Sequence, residues 1–333
     1  MSISQESDGQ ATLSTSTKIP FRRRAIEQRE ITIALTVLVI MILLTLASDN
    51  FLTKANMLAP ILDLPFNTIV AVGMTVLMVS GGFDLSVGST LALAGAVAGY
   101  AMIFWEASVP VAILLALGAS ILVGLMNGLL VARVKVNPLI APLGMMSVVR
   151  GIVLLLTSGF GIPNLPESFN QMAQNKAFGV QYPVFIMLVC VIVGDILLRR
   201  SRYFRQSYFV GGNEKSARLS GIRVGRVRII NYIIAAVMAG FAGLLLAGRF
   251  GTASVSAGVG VELQVISAVV IGGASLAGGE GTVIGSLFGV MLMALISNGL
   301  NLLGVNPYWQ TIIIGGVLII AVAADSLSHR SSS

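Results

Sequence analysis

The chain has 333 residues, of which 56% are hydrophobic and only 11% are Asp, Glu, Lys or Arg, whereas a soluble domain carries about 25% charged residues. This composition excludes an ordinary soluble domain and predicts a membrane protein that buries apolar surface in lipid as well as in itself. The net charge of +7 does not indicate a nucleic-acid partner, because Lys and Arg collect on the cytoplasmic loops of membrane proteins.

The sequence offers little for catalysis or metal binding. Cys190 is its single cysteine and His329 its single histidine, so neither an intrachain disulfide nor a thiolate metal cluster is available, and a Ser-His-Asp triad inside the membrane is excluded. The pattern G-x-x-x-x-G-K-[ST] does not occur, so the chain has no Walker A loop for ATP. We expect no catalytic residue, no metal and no cofactor bound by this chain.

The chain begins with a polar and basic segment. Residues 1–20 are rich in Ser, Thr and Gln, and FRRRAIEQRE follows at 21–30; we assign 1–30 to a disordered cytoplasmic tail. The apolar run at 31–47 is longer than the core of a signal peptide, which spans about 7 to 15 residues. It is predicted to be a retained first span that starts inside.

Nine further apolar segments are long enough to cross a bilayer, which takes about 17 to 25 residues. They lie at 65–80, 86–104, 109–132, 139–157, 183–198, 228–248, 261–277, 282–303 and 309–324. The fold class is therefore all-α, a polytopic membrane protein with about ten transmembrane helices. We assign 31–325 to the membrane domain and 326–333 to a cytoplasmic tail.

The positions of the cations predict the topology. With an inside start and ten spans, most of the 21 Lys and Arg residues fall on cytoplasmic segments, above all in the loop at 199–228, and both termini are cytoplasmic. If 65–104 were one bent crossing, the cations of 199–228 would lie outside. The chain must therefore turn back near 80–89.

Two glycine-containing breaks interrupt the apolar pattern. They read SGGFDLSVGS at 80–89 and IGGASLAGGEGT at 271–282, and the spans beside them could be interrupted or re-entrant. Asp84 or Ser86 could cap the helix that follows the first break. The same side chains could instead line a solute path, as polar groups do at interrupted helices of transporters, and both roles can hold at once.

Other polar residues lie within the apolar spans. Arg150 could pair with an acid or reach a helix end. Asn127 and Asn298 are amides that could join helices or contribute to the solute path. We therefore place Asp84, Ser86, Asn127 and Asn298 together as candidates for the pathway or helix break.

Glycines recur every four residues in two spans, a spacing that lets helix backbones approach closely. The predicted packing residues are Gly95, Gly99, Gly281, Gly285 and Gly289.

The soluble stretch at 208–228 contains NEKSARLSGI, which predicts a short helix from Glu214 to Leu219 stopped by Gly221. A short helix between two spans could pass the motion of a soluble partner to both of them. The alternative is a basic interfacial loop with no such role.

Four motifs together resemble the permease subunit of bacterial ABC importers for monosaccharides, the branch for ribose, xylose, arabinose and galactosides. They are GGFDLSVGS, VGGNEKSARLSGI, ELQVISAVVIGGASLAGGEGTVIG and NGLNLLGV, and the resemblance covers about residues 30 to 325. It implies a multi-pass protein of the inner membrane that works with a second permease copy or paralogue, a cytoplasmic ABC ATPase that holds ATP and Mg²⁺, and a periplasmic sugar-binding protein.

The resemblance also implies that a coupling helix docks in a groove of the ATPase. Its residues are Glu214, Ala217, Arg218, Leu219, Ser220 and Gly221. The expected function is import of a monosaccharide by alternating access, without an ATPase site in this chain. Two other classes remain open from the residues alone: a secondary transporter driven by an ion gradient, with Asp84 as carrier, and a membrane scaffold that moves no solute.

Overall fold

The computed structural model describes the backbone of residues 21–330 and the side chains of 30–323 other than 59, 307 and 321. The predicted disorder of residues 1–20 lies outside the described residues. The described chain forms thirteen α-helices: α1 Phe21–Ala47, α2 Lys54–Val79, α3 Val87–Phe104, α4 Val109–Leu129, α5 Ile140–Thr157, α6 Glu167–Gln174, α7 Tyr182–Arg200, α8 Arg202–Gly212, α9 Glu214–Leu219, α10 Val224–Phe250, α11 Val261–Ile271, α12 Val283–Leu302 and α13 Pro307–Arg330.

The all-α prediction is confirmed. Among the described residues, eight helices are long and apolar enough to cross a membrane, and two shorter apolar helices lie at Val261–Ile271 and Tyr308–Ile320. Each of the ten predicted spans therefore coincides with an apolar helix. A π-helical segment at Leu130–Val134 extends α4, and two short antiparallel strands, β1 Lys176–Ala177 and β2 Val180–Gln181, form a hairpin.

Several predicted boundaries were wrong. Helix α1 starts at Phe21, so residues 21–30 belong to a helix and not to a disordered tail, and α13 continues to Arg330 through most of the predicted C-terminal tail. Helix α2 starts eleven residues before the predicted span and contains Pro60 and Pro65. Proline is tolerated inside membrane helices because neighbouring groups satisfy the freed carbonyls, so these residues did not mark a helix end.

Helix α11 is the clearest departure from a full crossing. It has 11 residues and therefore rises about 16 Å, roughly half of the 30 Å hydrocarbon core. The predicted span at 261–277 was too long, because the second break already begins at Gly272. The structure confirms the prediction of an interrupted segment here.

The centre of the protein is built around α10. This helix packs against α2, α3 and α4, and α3 is buried along most of its length. Helix α1 packs mainly against α12 and leaves most of its surface exposed. The two breaks, at residues 80–86 and 272–282, thus adjoin the most buried helices rather than the periphery.

Candidate coupling surface and membrane cavity

Helix α9 is present with the predicted bounds, and both of its ends are capped. The side chain of Asn213 accepts a hydrogen bond from the backbone N–H of Ser216 at 2.9 Å. At the other end Gly221 adopts φ +80°, while the N–H of Gly221 and of Ile222 donate to the carbonyls of Arg218 and Ala217. This is the Schellman arrangement, which needs a residue tolerant of positive φ.

One side of α9 is anchored and the other is exposed. Ala217 is buried in a small cluster with Val210, Val224 and Val227. Leu219 is 90% exposed. Single exposed apolar side chains are common on protein surfaces, so the exposure of Leu219 makes it accessible to another protein without by itself indicating one.

Arginines fix α9 to the start of α10. Glu214 accepts hydrogen bonds from Arg218 at 2.6 Å and from Arg228, in the first turns of α10, at 2.7 Å. Partial burial works to raise the pKa of Glu214, but the hydrogen bonds and charges of Arg218 and Arg228 outweigh it and hold that pKa below its ordinary value. Displacement of α9 would therefore pull on α10.

Helix α8 joins α9 to both breaks. The N–H of Gly279 donates to the carbonyl of Val79 at 2.9 Å, and a Cβ on Gly211 of α8 would overlap both groups. The hydroxyl of Tyr208 donates to the carbonyl of Gly281 at 2.7 Å. The end of α8, the first break and the second break thus meet in one close backbone contact.

Three of the predicted polar residues form one buried cluster. Asp84, Ser86 and Asn127 are each 0% exposed. Asp84 Oδ1 accepts from the backbone N–H of Ser86 at 2.8 Å, from its hydroxyl at 2.5 Å and from the Asn127 amide at 3.2 Å. Among the described residues, Asp84 Oδ2 and Asn127 Oδ1 have no hydrogen-bond partner.

Within the described residues, neither capping candidate accepts a hydrogen bond from a backbone N–H of α3 itself. Asp84 accepts from the backbone N–H of Ser86, which precedes the first residue of α3, Val87, so this is a local turn bond and not a cap of a helical N–H. Ser86 occupies the N-cap position, but its side chain makes no capping bond; its hydroxyl donates to Asp84 and accepts from the amide of Asn127 at 2.9 Å. The predicted cap of α3 by Asp84 or Ser86 was therefore wrong.

Asn298 lies apart from that cluster. Its amide and that of Asn56, on α2, exchange hydrogen bonds at 2.8 and 3.1 Å. Asn298 also borders a cavity of about 350 Å³ between α2, α3, α10, α11 and α12, whose lining does not include Asp84, Ser86 or Asn127. The structure thus separates one predicted pathway residue from the other three.

The predicted glycines take part in close packing, with one correction. A Cβ on Gly285 would overlap the carbonyl of Gly272, and one on Gly289 would overlap that of Ala268. A Cβ added to Gly95 or Gly99 would be in ordinary to tight van der Waals contact with α10 and the 251–260 loop. Gly281 is also closely packed, since a Cβ there would lie 2.8 Å from that of Ala274, but it lies in the second break at φ +143° and not in α12, which starts at Val283.

Arg150 has a role that the residues alone did not indicate. Its guanidinium donates to the carbonyls of Val255 and Ala257 at 2.8 and 3.0 Å, and it forms no ion pair within the described residues. Arg150 thus holds the loop between α10 and α11. A loop carbonyl leaves no signal in the sequence, so an acidic partner was the natural expectation.

Sequence reasoning also missed a polar link between α1, α7 and the second break. Glu30 accepts from Arg199 at 2.5 Å and from Thr282 at 2.6 Å, and Arg199 also contacts Asp195 at 2.7 Å. The partners of Glu30 are 169 and 252 residues away in the chain. Charge and spacing in a single sequence do not reveal such a contact.

Comparison with known proteins identifies the relatives of this chain. Residues 56–322 match the family described as the permease component of the branched-chain amino acid transport system. The ribose import permease protein of Escherichia coli strain K12 is 40% identical over 297 residues, which covers 88% of this chain and 92% of the relative.

Two further relatives carry other sugar names. The L-arabinose ABC transporter permease protein of Azospirillum brasilense is 36% identical over 88% of this chain and 86% of the relative. The galactose/methyl galactoside import permease protein of Escherichia coli strain K12 is 35% identical over 89% and 94%. These identities extend over nearly the whole described fold.

Proposed function

The chain belongs to the family of ABC importer permease components, multi-pass proteins of the bacterial inner membrane, and on that premise we propose that it carries a monosaccharide into the cell. The observation that supports the substrate class is that the three relatives described above are named for ribose, L-arabinose and galactose or methyl galactoside. The chain is a transport subunit and not an enzyme. The particular sugar is not assigned by these names.

The proposed partners supply what this chain lacks. A cytoplasmic ABC ATPase binds ATP and Mg²⁺, since the sequence has no Walker A loop. A periplasmic binding protein delivers the sugar. A second permease, identical or paralogous, completes the membrane part, and the exposed faces of the spanning helices contact lipid.

The proposed mechanism is alternating access driven through α9. The ATPase grips the exposed face of α9 around Leu219, and its movement is passed through Glu214 and Arg228 to α10. The contact of Gly211 with Val79 and Gly279 passes the same movement to both breaks. This arrangement favours a coupling role for α9 over that of a simple interfacial loop.

Reconstitution of the complete importer tests the proposal. Proteoliposomes with the permease, its ATPase and its binding protein should accumulate labelled D-ribose, L-arabinose or D-galactose in an ATP-dependent manner. L-Leucine serves as the contrasting probe, because the family model carries an amino-acid name. Uptake of L-leucine without uptake of any of the three sugars would overturn the proposed substrate class.

A further inference from the structure

The cavity that borders Asn298 lies far from α9. Asp63 of its lining pairs with Arg249 at 2.7 Å, and Arg249 also donates to the carbonyl of Leu62 at 2.6 Å. Arg249 stands near the last residue of the 27-residue helix α10, whose other end meets α9, so the two places are separated by about 40 Å of helix. In the proposed topology this end of α10 faces the periplasm.

Three side chains in this cavity present free hydrogen-bonding groups. Asn67 of α2, Gln264 of α11 and Ser297 of α12 line it, and each is half-buried. Within the described part of the chain, no protein group hydrogen-bonds to any of the three side chains. A half-buried amide or hydroxyl that faces a cavity without a protein partner is placed to bind a solute or water.

The charge of the cavity favours a neutral ligand. Among the described residues, Asp63 is the single acid that lines it, and it is already paired with Arg249. An amino acid needs partners for a carboxylate and an ammonium group, whereas sugar hydroxyls both donate and accept, as amides do. Phe66 adds an apolar surface beside these amides.

A second cavity of about 400 Å³ lies beside α3, α10 and the 251–260 loop, but its polar groups are occupied. The hydroxyls of Ser254 and Ser256 bond to one another at 3.0 Å, and that of Thr252 reaches the carbonyl of Ile162 at 3.2 Å. It therefore offers a hydroxylated solute less than the cavity lined by Asn67, Gln264 and Ser297 does.

We propose that the cavity lined by Asn67, Gln264 and Ser297 is a monosaccharide subsite on the periplasmic half of the transport path. Its volume of about 350 Å³ lies within the range of about 300 to 1,000 Å³ typical of small-molecule sites. Three contacts from three helices give weak binding, which a transport site needs in order to release its ligand. This assignment rests on the proposed function, since it presumes that a sugar enters the membrane domain.

The first test compares uptake by the reconstituted importer with labelled D-ribose, or with whichever of the three sugars the unchanged importer accumulates. Asn67→Leu and Gln264→Leu should each lower kcat/KM for uptake about tenfold, the usual effect of one lost hydrogen bond to a ligand. Gln171→Leu is the matched control, because Gln171 lies exposed on α6 outside this cavity. Stimulation of ATP hydrolysis by the binding protein should persist in all three variants.

The second test does not require the leucine variants to fold. In a Cys190→Ser background, Gln264→Cys and Gln171→Cys are labelled with a membrane-impermeant maleimide in the presence and absence of the transported sugar at millimolar concentration. The sugar should slow labelling of the Gln264→Cys variant at least threefold and leave that of Gln171→Cys unchanged.

The outcomes separate the two proposals. If the unchanged importer accumulates a sugar but the leucine variants transport it normally and the sugar protects neither cysteine variant, the subsite is overturned and the proposed function stands. If the unchanged importer accumulates L-leucine and no sugar, the proposed function fails. Protection of Gln264→Cys by L-leucine and not by sugar would overturn both.

Discussion

At the scale of single residues, Asp84 shows how an acid is accommodated among apolar helices. Its side chain is buried, and one oxygen collects three hydrogen bonds from Ser86 and Asn127. This oxygen joins the break before α3 to α4. The contacts therefore favour a structural role for Asp84 over that of an ion carrier open to solvent.

Substitutions of Asp84 can distinguish the contribution of its accepting oxygen from that of its negative charge. Asp84→Asn retains an accepting oxygen and should largely preserve sugar uptake, whereas Asp84→Leu leaves the buried N–H and hydroxyl of Ser86 without their acceptor; Asn127 keeps its bond to Ser86 Oγ. Each unpaired group costs about 1 to 3 kcal/mol, so Asp84→Leu should lower the melting temperature in detergent and the uptake rate. Equal loss of uptake in both variants, with normal melting of Asp84→Asn, would instead assign a role to the charge.

Predictability at this scale depends on whether a residue acts through its neighbours in sequence. Asp84 stood out because it is an acid within an apolar region, and part of its role is local, since it binds Ser86 two residues on. Asn67, Gln264 and Ser297 did not stand out, because neutral polar residues also serve as contacts between helices. Their common cavity depends on how α2, α11 and α12 are arranged in space.

At the scale of elements, α9 was predictable to the residue. Its cap at Asn213 and its stop at Gly221 are local signals, and helix ends set by such signals can be read from sequence. The start of α2 was not, since its first turns carry polar residues and prolines that tertiary contacts override. Helix α8 was also missed, because its place depends on the close approach of Gly211 to the two breaks.

The exposed face of α9 gives a test of coupling. Leu219 is 90% exposed, so Leu219→Asp should leave the melting temperature of the permease within about 1 °C, as for most surface changes. It should lower ATP-dependent sugar uptake by at least fivefold by weakening contact with the ATPase. Leu219→Met, which keeps an apolar side chain, should retain most of the uptake. Normal uptake by Leu219→Asp would remove this residue from the coupling surface.

The contact between α11 and α12 gives a test of glycine packing. A Cβ on Gly289 would overlap the carbonyl of Ala268, so Gly289→Ala should destabilise the protein by about 1 to 3 kcal/mol, as overpacking does. Gly315→Ala is the matched control within α13, where none of the described atoms lies within 4 Å of the added Cβ. Thermal unfolding in detergent should separate the two variants, and equal melting temperatures would show that α11 and α12 can move apart without cost.

At the scale of the whole molecule, the structure joins a surface at one end to a cavity at the other. Helix α10 runs between them, with Arg228 beside Glu214 at its start and Arg249 beside Asp63 near its end. Both breaks lie toward the α9 end, where Gly211 of α8 closely approaches Val79 and Gly279. This order of parts agrees with the sequence-based topology, in which 199–228 is cytoplasmic.

That orientation can be measured with a pair of cysteine variants. Lys215 on α9 and Lys176 in the β-hairpin are both exposed lysines, and the topology places them on opposite sides of the membrane. In a Cys190→Ser background, an impermeant maleimide should label Lys176→Cys in spheroplasts and Lys215→Cys in inverted vesicles.

The converse labelling would reverse the orientation and place α9 out of reach of a cytoplasmic ATPase. Labelling of both variants from the same side would mean that the chain does not cross the membrane between the two positions. Of the predicted crossings, α7 alone lies between Lys176 and Lys215 in the chain. The experiment therefore tests the α7 crossing directly and, through it, the side on which the coupling surface lies.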